Sequence, residues 1–190
     1  MSKTTNVMIV GVGGQGTLLA SRIIGNVAIK CGFDVKVSEV HGMSQRGGSV
    51  VTYVKFGEKV HSPLISEGEA DILLAFEQLE AYRYMQYVGK GGKLLVNTQQ
   101  MDPMPVITGA AQYPSDILGK IAAKGVEVIE VDALALALEA GNVKSVNVAL
   151  IGLMAKHLDI DKQVWLDALR DTVPAKFLEV NLKAFELGYR

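Results

Sequence analysis

Short apolar runs alternate along the chain with longer segments in which apolar residues recur every three or four positions. Val7–Val10 is such a run and ends at Gly11, which predicts a buried strand. Thr17–Cys31 follows with apolar residues at helical spacing. The same alternation predicts strands at Asp34–Val40, Ser49–Phe56, Asp71–Phe76, Lys93–Asn97 and Val126–Val131, and helices at Glu77–Tyr87, Ser115–Ala123 and Ala133–Ala140. These elements predict a three-layer α/β/α domain with a mostly parallel sheet.

Three regions depart from this regular alternation. A turn at residues 57–58 separates Ser49–Phe56 from Lys59–Ile65, which predicts an antiparallel hairpin. The glycines within residues 89–92 predict a further turn before the next strand. Residues 98–114 contain three prolines and predict an irregular excursion.

The last third of the chain is predicted to be helical. One apolar helix begins at Ser145, a second follows Asp161, and a third follows Pro174 and ends near Gly188. Asp161 is a candidate N-cap, as is Asp132 before the preceding helix. Because no linker, repeat or low-complexity segment interrupts the pattern, we expect a single domain over residues 1–190, with its helical third packed on the sheet or on a partner.

Composition narrows the classes of protein that fit. The chain has 190 residues, of which 49% are hydrophobic and 21% are charged, so it is expected to be globular. Its single cysteine, Cys31, excludes an internal disulfide and a cysteine-ligated zinc or iron–sulfur cluster held by this chain alone. The net charge of −1 argues against binding polyanions through overall charge. No signal peptide or membrane-length apolar run is evident, which predicts a soluble cytoplasmic protein.

The charge is nevertheless unevenly distributed. Residues 1–59 carry seven Lys and Arg against three Asp and Glu, and the first 48 residues hold nine of the twenty glycines. A basic, glycine-rich segment is where an anionic ligand or an acidic partner surface would be expected to bind. The alternative is that the glycines only mark tight turns and that the imbalance is chance.

The first glycine cluster, Gly11-Val12-Gly13-Gly14-Gln15-Gly16, has the pattern G-x-G-x-x-G between a predicted strand and a predicted helix. Glycines let the backbone approach a ligand closely, and the helix N-terminus offers N–H groups and a positive dipole to an anion. A dinucleotide site of the Rossmann type also needs an acidic residue at the end of the second strand, where Glu39 is the candidate. The alternative is that the glycines serve only close strand–helix packing.

A second cluster, His41-Gly42-Met43-Ser44-Gln45-Arg46-Gly47-Gly48, follows the second predicted strand. It is expected at the same edge of the sheet as the first cluster. Arg46 can form paired hydrogen bonds with a phosphate or carboxylate, or it can bond a partner or its own loop. The candidate anion- or cofactor-binding residues of the two loops are therefore Gly11, Gly13, Gly14, Gln15, Gly16, Ser44, Gln45, Arg46, Gly47 and Gly48.

The two motifs GVGGQG and EVHGMSQRGGSV, in this order, carry a family resemblance. Together with the acidic stretch Glu67–Asp71 and the segment Ser145–Ala149, they resemble the gamma-type component of the 2-oxoacid:ferredoxin oxidoreductases over essentially the whole chain. The resemblance is nearest to the branch that acts on indolepyruvate. It implies a Rossmann-like α/β domain that functions as the small subunit of a larger complex.

The resemblance also implies a reaction. An aryl pyruvate would be oxidatively decarboxylated with coenzyme A to an acyl-CoA, and the electrons would pass to ferredoxin. Thiamine diphosphate, its Mg²⁺ and the [4Fe–4S] clusters would belong to a large partner subunit, so this chain would hold no cofactor or metal and would bind neither nucleic acid nor membrane. The family pattern assigns no catalytic residue here, and His41 and His61 are given no catalytic role.

The residues by themselves are also compatible with two other functions. One is a stand-alone NAD(P)- or flavin-dependent oxidoreductase that uses the first glycine loop as a dinucleotide site. The other is a purely structural subunit in which both loops form an interface.

Overall fold

The computed structural model describes residues 4–39 and 43–190. Six strands are present in these residues: β1 (Thr5–Val12), β2 (Asp34–Glu39), β3 (Ser49–Gly57), β4 (Ala70–Ala75), β5 (Val88–Asn97) and β6 (Glu127–Val131). The α-helices in these residues are α1 (Thr17–Lys30), α2 (Gln78–Tyr84), α3 (Met104–Ile107), α4 (Ile117–Ala122), α5 (Ala133–Ala140), α6 (Val146–Ala155), α7 (Lys162–Thr172) and α8 (Leu178–Tyr189). No helix among the residues that are described is long and apolar enough to cross a membrane.

The strands form one sheet in the order β2-β3-β1-β4-β5-β6. β1, β4, β5 and β6 run parallel, whereas β3 is antiparallel to both of its neighbours, β1 and β2. After β1 the chain forms β2 and β3 on one side of the sheet, and after β4 it forms β5 and β6 on the other side. The carboxyl ends of β1 and β4 therefore form a topological switch point, which is where open α/β sheets bind their ligands.

Helices cover both faces of the sheet, as the sequence predicted. Val7 and Ile9 of β1 face a core that includes α1 and the C-terminal helices α5–α8. Met8 and Val10 face a second core that includes α2 and α4. This alternation makes the fold a three-layer α/β/α arrangement. The helical third packs on one face of the sheet, where Trp165 and Phe185 are fully buried.

The predicted hairpin is wrong, because the segment that was expected to pair with β3 is not a strand. Residues 58–65, all of which are described, form no strand, and β3 instead pairs along its length with β1 on one side and β2 on the other. β3 is rich in β-branched residues and mostly buried, so hydrogen bonds along both of its edges satisfy backbone groups that water does not reach. The turn predicted within residues 89–92 is also wrong, because these glycines lie inside β5, where the pairing with β4 shifts register.

Candidate functional site at the carboxyl edge of the sheet

The two glycine loops lie side by side and are directly bonded. Val12, the last residue of β1, pairs with Ser49, the first residue of β3, so the segments beyond them meet at one edge. The backbone N–H of Gly13 donates to the carbonyl oxygen of Gly48 at 2.8 Å. A Cβ atom at Gly13 would lie 2.3 Å from the carbonyl oxygen of Ser44 and 2.3 Å from the carbonyl carbon of Gln45. Only glycine permits this backbone contact, which joins the predicted loops into one site.

Gln15 ties the first loop to the neighbouring strand. Its side-chain oxygen accepts a 2.7 Å hydrogen bond from the N–H of Val12, and its side-chain nitrogen donates to the carbonyl of Phe76 at 3.1 Å. Phe76 directly follows β4, so one amide side chain connects the ends of two parallel strands. Gly11 lies within β1, where it is buried and pairs with Val50. The structure therefore gives Gln15 and Gly11 internal contacts that shape the loop.

Gly16 begins α1 against a buried asparagine that sequence reasoning did not select. Gly16 has a φ of 86°, a conformation that favours glycine, and a Cβ atom there would lie 2.6 Å from Nδ2 of Asn147. The same Nδ2 donates to the carbonyl of Gly16 at 3.3 Å. Asn147 belongs to α6, so the segment Ser145–Ala149 in the sequence resemblance supports the first glycine loop.

Two cavities border the first loop. One, of about 290 Å³, lies between Gly13–Thr17 and the second loop, and Gln45, Val50 and Thr52 contribute to its lining. The other, of about 650 Å³, lies on the far side of Gly13–Gly16, and Met101 and Lys144 contribute to its lining. α1 has no acidic residue in its first turn to oppose an anion at this N-terminus.

A third cavity, of about 400 Å³, places the second loop opposite the proline-containing excursion. Arg46, Gly47 and Gly48 line one wall, and Arg46 is exposed to solvent. Met101, Met104 and Ile107 are part of the other wall. Glu77 and Glu80, at the start of α2, and Arg83, in its last turn, line the same cleft. The cleft thus places the exposed cation of Arg46 opposite a mostly apolar segment that also contributes the exposed carboxylate of Asp102.

Glu77 and Glu80 are buried carboxylates that the sequence analysis missed. The side chain of Glu77 is the N-cap of α2 and accepts from the N–H of Glu80 at 3.0 Å. Glu80 accepts from the hydroxyl of Ser49 and, at 2.6 Å, from the guanidinium of Arg83. Burial raises the pKa of the Glu80 carboxyl above its ordinary value, although the bonds from Ser49 and Arg83 act in the opposite direction. A signal was available in the sequence, because the two glutamates directly follow an apolar run that predicts a buried strand.

Asn97 is a second buried polar residue at this edge that sequence reasoning missed. Its Nδ2 donates to the carbonyl of Phe76 at 3.2 Å, and its Oδ1 accepts from the N–H of Ala133 at 3.1 Å. The Phe76 carbonyl therefore receives hydrogen bonds from both Gln15 and Asn97. These contacts bind the ends of β1, β4 and β5 and the start of α5 into a fixed frame.

The acidic residue expected for a dinucleotide site lies elsewhere. Glu39 ends β2, which is separated from β1 by β3, and its carboxylate accepts a 2.5 Å hydrogen bond from the hydroxyl of Ser21. It borders a cavity of about 510 Å³ formed by α1 and β2, to which no glycine-loop residue contributes. In a dinucleotide fold the second strand lies beside the first, so this arrangement does not support the stand-alone oxidoreductase.

Among the residues that the structure describes, His61 and possible metal ligands add nothing to the site. His41, together with Val40 and Gly42, lies outside the described residues, and His61 is exposed in the segment after β3. Across residues 4–39 and 43–190, no group of three or more His, Cys, Asp or Glu side chains is arranged to hold a metal ion.

The fold and site define an open α/β domain whose two glycine loops are bonded together at the switch point. The family model for pyruvate ferredoxin/flavodoxin oxidoreductase matches residues 6–190. Subunit IorB of indolepyruvate oxidoreductase from Thermococcus kodakarensis is 43% identical over 193 residues, covering 99% of this chain and 96% of the relative. The corresponding subunit from Pyrococcus horikoshii is 42% identical with the same coverage.

Solved structures agree with this relationship. The gamma subunit of a keto/oxoacid ferredoxin oxidoreductase from Geobacter sulfurreducens has a TM-score of 0.70 and 26% identity, with 97% of this chain and 96% of that chain covered. A 2-oxoglutarate:ferredoxin oxidoreductase from Magnetococcus marinus shares the fold with a TM-score of 0.74 at 18% identity, and this chain covers 31% of it. The chain therefore belongs to the pyruvate ferredoxin/flavodoxin oxidoreductase family, as a small, gamma-type subunit. The resemblance inferred from the two loops is confirmed.

Proposed function

We propose that this chain is the small subunit of an indolepyruvate:ferredoxin oxidoreductase. The observation that carries the proposal is the 43% identity to an indolepyruvate oxidoreductase subunit over nearly the whole of both chains. In the reaction, an aryl pyruvate loses CO₂, its carbonyl carbon forms a thioester with coenzyme A, and two electrons and one proton are released. The electrons reduce ferredoxin.

The proposal assigns the redox chemistry to a large partner subunit. Thiamine diphosphate, its Mg²⁺ and the [4Fe–4S] clusters would be held there, because a cluster needs about four ligands and this chain has one cysteine. Cys31 is half-buried at the end of α1, and burial raises the pKa of its thiol, which favours the neutral form over the metal-binding thiolate. We place the complex in the cytoplasm.

The two joined loops would complete the active-site region of this complex. They would hold an anionic group, such as a phosphate of coenzyme A, or contact the large subunit directly. Since the N–H of Gly13 is bonded to Gly48, the donors proposed for the anion are the amides of Gly14 and Gly16 and the side chains of Ser44, Gln45 and Arg46. The exposed guanidinium of Arg46 is the strongest of these because charge-assisted hydrogen bonds exceed neutral ones.

The test is the Arg46→Ala variant in the complex co-expressed with its large subunit. Coenzyme A-dependent reduction of a low-potential dye would be measured with several 2-oxoacids. Losing one charged hydrogen bond of about 2 kcal/mol should raise the KM for coenzyme A roughly thirtyfold or weaken subunit association. Arg170→Ala is the matched control, because Arg170 is an exposed arginine on α7 that pairs with Asp167. Unchanged coenzyme A saturation, 2-oxoacid saturation and association in Arg46→Ala would overturn the role of the loops.

The substrate and the need for this chain are tested in the same assay. Indolepyruvate should give the highest kcat/KM among the 2-oxoacids, and a preference for pyruvate would contradict the substrate assignment. The large subunit alone should be inactive or nearly so. Full activity without this chain would instead indicate a purely structural subunit.

A further inference from the structure

Two buried glutamates connect the opposite walls of the cleft that contains Arg46. Glu77 and Glu80 are 1% and 2% exposed and lie three residues apart, so they are neighbours at the start of α2. Neither is assigned a role in the function proposed above. A buried carboxylate is costly unless several donors satisfy it, so its bonding partners indicate what it holds in place.

Glu80 holds the wall formed by the second glycine loop. Its carboxylate accepts from the hydroxyl of Ser49, the residue that directly follows Gly48. Gly48 in turn accepts from Gly13 and donates to the carbonyl of Ser44 at 2.9 Å. The Glu80 carboxylate therefore holds Ser49 in place. Through the adjacent Gly48, Ser49 is connected to both glycine loops and to the backbone that carries Arg46. Arg83, in the following turn, neutralises Glu80 at 2.6 Å.

Glu77 holds the opposite wall. One of its oxygens accepts from the N–H of Met101 at 3.2 Å and from the hydroxyl of Tyr113. These two residues lie near the two ends of the proline-containing excursion, whose Met104 and Ile107 are 63% and 65% exposed beside the cleft. The other Glu77 oxygen caps α2 at the N–H of Glu80. One helical turn therefore anchors both walls.

We propose that Glu77 and Glu80 are positioning residues that set the separation between the Arg46 loop and the Met101–Ile107 wall. An apolar pair at these positions would fill the same space, but it would not bond Met101, Tyr113 or Ser49 and would not define where either wall stands. The inference rests on the proposed function, because the separation matters to the reaction only where the loops contribute to it. The glutamates act through the walls and touch no reacting atom.

The test uses variants of the co-expressed complex that remove single bonds. Tyr113→Phe and Ser49→Ala each delete one hydroxyl and keep the packing, so they should fold even where Glu77→Leu and Glu80→Leu do not. Glu77→Gln and Glu80→Gln keep one of the two acceptor oxygens and should therefore have smaller effects than the leucine variants. Glu127→Gln is the control, because Glu127 is an exposed carboxylate paired with Lys93 at the start of β6, away from this edge.

Hydrogen–deuterium exchange and steady-state kinetics are the two readouts. Amide exchange in peptides covering residues 98–107 should accelerate about tenfold in Glu77→Leu and about threefold in Tyr113→Phe. In peptides covering residues 43–50, exchange should accelerate about tenfold in Glu80→Leu and about threefold in Ser49→Ala. The KM for coenzyme A should rise about fivefold in the leucine variants while kcat stays within about twofold, and the glutamine variants should fall between wild type and the leucine variants.

The outcomes separate the two proposals. Unchanged exchange in all four bond-deleting variants overturns the positioning role whatever Arg46→Ala does. Accelerated exchange with an unchanged KM also overturns it, provided that Arg46→Ala raises the KM. If Arg46→Ala has no effect on kinetics or association, the proposed function of the loops fails, while the exchange data still decide whether the glutamates hold the walls.

Discussion

The backbone N–H of Gly13 donates a 2.8 Å hydrogen bond to the carbonyl oxygen of Gly48, and this bond joins the two glycine loops of the site. The bond follows from the sheet, because Val12 and Ser49 are paired in the antiparallel ladder of β1 and β3. It also changes the role expected for the first glycine motif. At least one of its glycine amides, expected from the sequence to bind an anion, instead fixes the second loop.

Gly13→Ala should therefore disrupt the site and destabilise the chain. The new Cβ atom would meet backbone atoms of Ser44 and Gln45 at 2.3 Å, so one loop must move, and overpacking of this kind costs about 3 kcal/mol. The free energy of unfolding from urea denaturation measures the effect. Gly25→Ala is the matched control: it lies inside α1 with only Val37 at 3.9 Å, so it should stabilise by about 0.5–1 kcal/mol. Equal stability of the two variants would contradict the close contact of the loops.

Gln15→Ala should destabilise the chain and loosen the first loop. The substitution leaves the N–H of Val12 without its 2.7 Å acceptor, which costs about 1–3 kcal/mol for a shielded backbone group. Amide exchange at Val12 should accelerate in parallel. Gln163→Ala is a suitable control, because Gln163 is an exposed glutamine on α7 whose side chain bonds Asp167, and it should change stability by less than about 0.5 kcal/mol.

Asn97→Leu should be among the most destabilising single substitutions at this edge. Asn97 is fully buried, and leucine of similar volume would leave the N–H of Ala133 without its acceptor at the start of α5. We expect a loss of about 2–4 kcal/mol in the free energy of unfolding. Asn26→Leu, at a half-buried position with one 3.3 Å side-chain bond to Thr172, should cost less than about 1 kcal/mol. The prediction fails if the two variants are equally stable.

The N-cap at Asp132 gives a prediction that depends on local structure alone. Its carboxylate accepts from the N–H of Ala135 at 2.9 Å at the start of α5. Asp132→Ala should lower the free energy of unfolding by about 1 kcal/mol, whereas Asp132→Asn retains an acceptor and should cost about half as much or less. Thermal and urea unfolding of the three proteins would measure the order, and an alanine variant as stable as wild type would contradict the capping role.

Glu80 predicts a pH dependence of stability with a definite sign. Burial is the main cause that raises its pKa in the folded chain, and the charge of Glu77 adds to this, while Ser49 and Arg83 oppose it. A carboxyl group with a raised pKa stabilises the folded state below its unfolded pKa, and this contribution is lost as the pH rises through the folded pKa. The stability of wild type relative to Glu80→Gln should therefore fall as the pH rises above the ordinary pKa of a glutamate, about 4.3.

Asp34 should show the opposite pH dependence of stability, because its pKa is lowered in the folded chain. The side-chain hydrogen bond from Lys36 and the backbone N–H of Val60 lower the pKa of the Asp34 carboxyl. A lowered pKa contributes stability above the unfolded pKa that is lost as the pH falls. The stability of wild type relative to Asp34→Asn should therefore fall as the pH is lowered through the ordinary pKa of an aspartate, about 3.9. Parallel pH profiles for the two variants would contradict the assignment of Glu80.

Much of the fold was predictable from local pattern. The strand–glycine–helix unit, the alternation of buried runs with amphipathic segments, and the caps Asp132 and Asp161 depend on residues within a few positions of one another. The pairing of β3 was not predictable in this way. A strand rich in Val, Thr and Tyr satisfies the hairpin pattern with any adjacent partner, and only the assembled sheet showed that β1 and β2 take its two edges.

By itself the sequence determined the class of fold, the presence of two glycine loops at the carboxyl edge of the sheet, and the family. These three features follow from the spacing of apolar residues, from the backbone freedom of glycine and from the order of the motifs, all of which can be read from the sequence. Only the tertiary structure decided that Gly13 bonds Gly48, that Glu77 bonds Met101 and that Glu80 bonds Ser49. The reason is that each of these contacts joins segments far apart in sequence, so its partners are set by how the strands pair and not by local propensity.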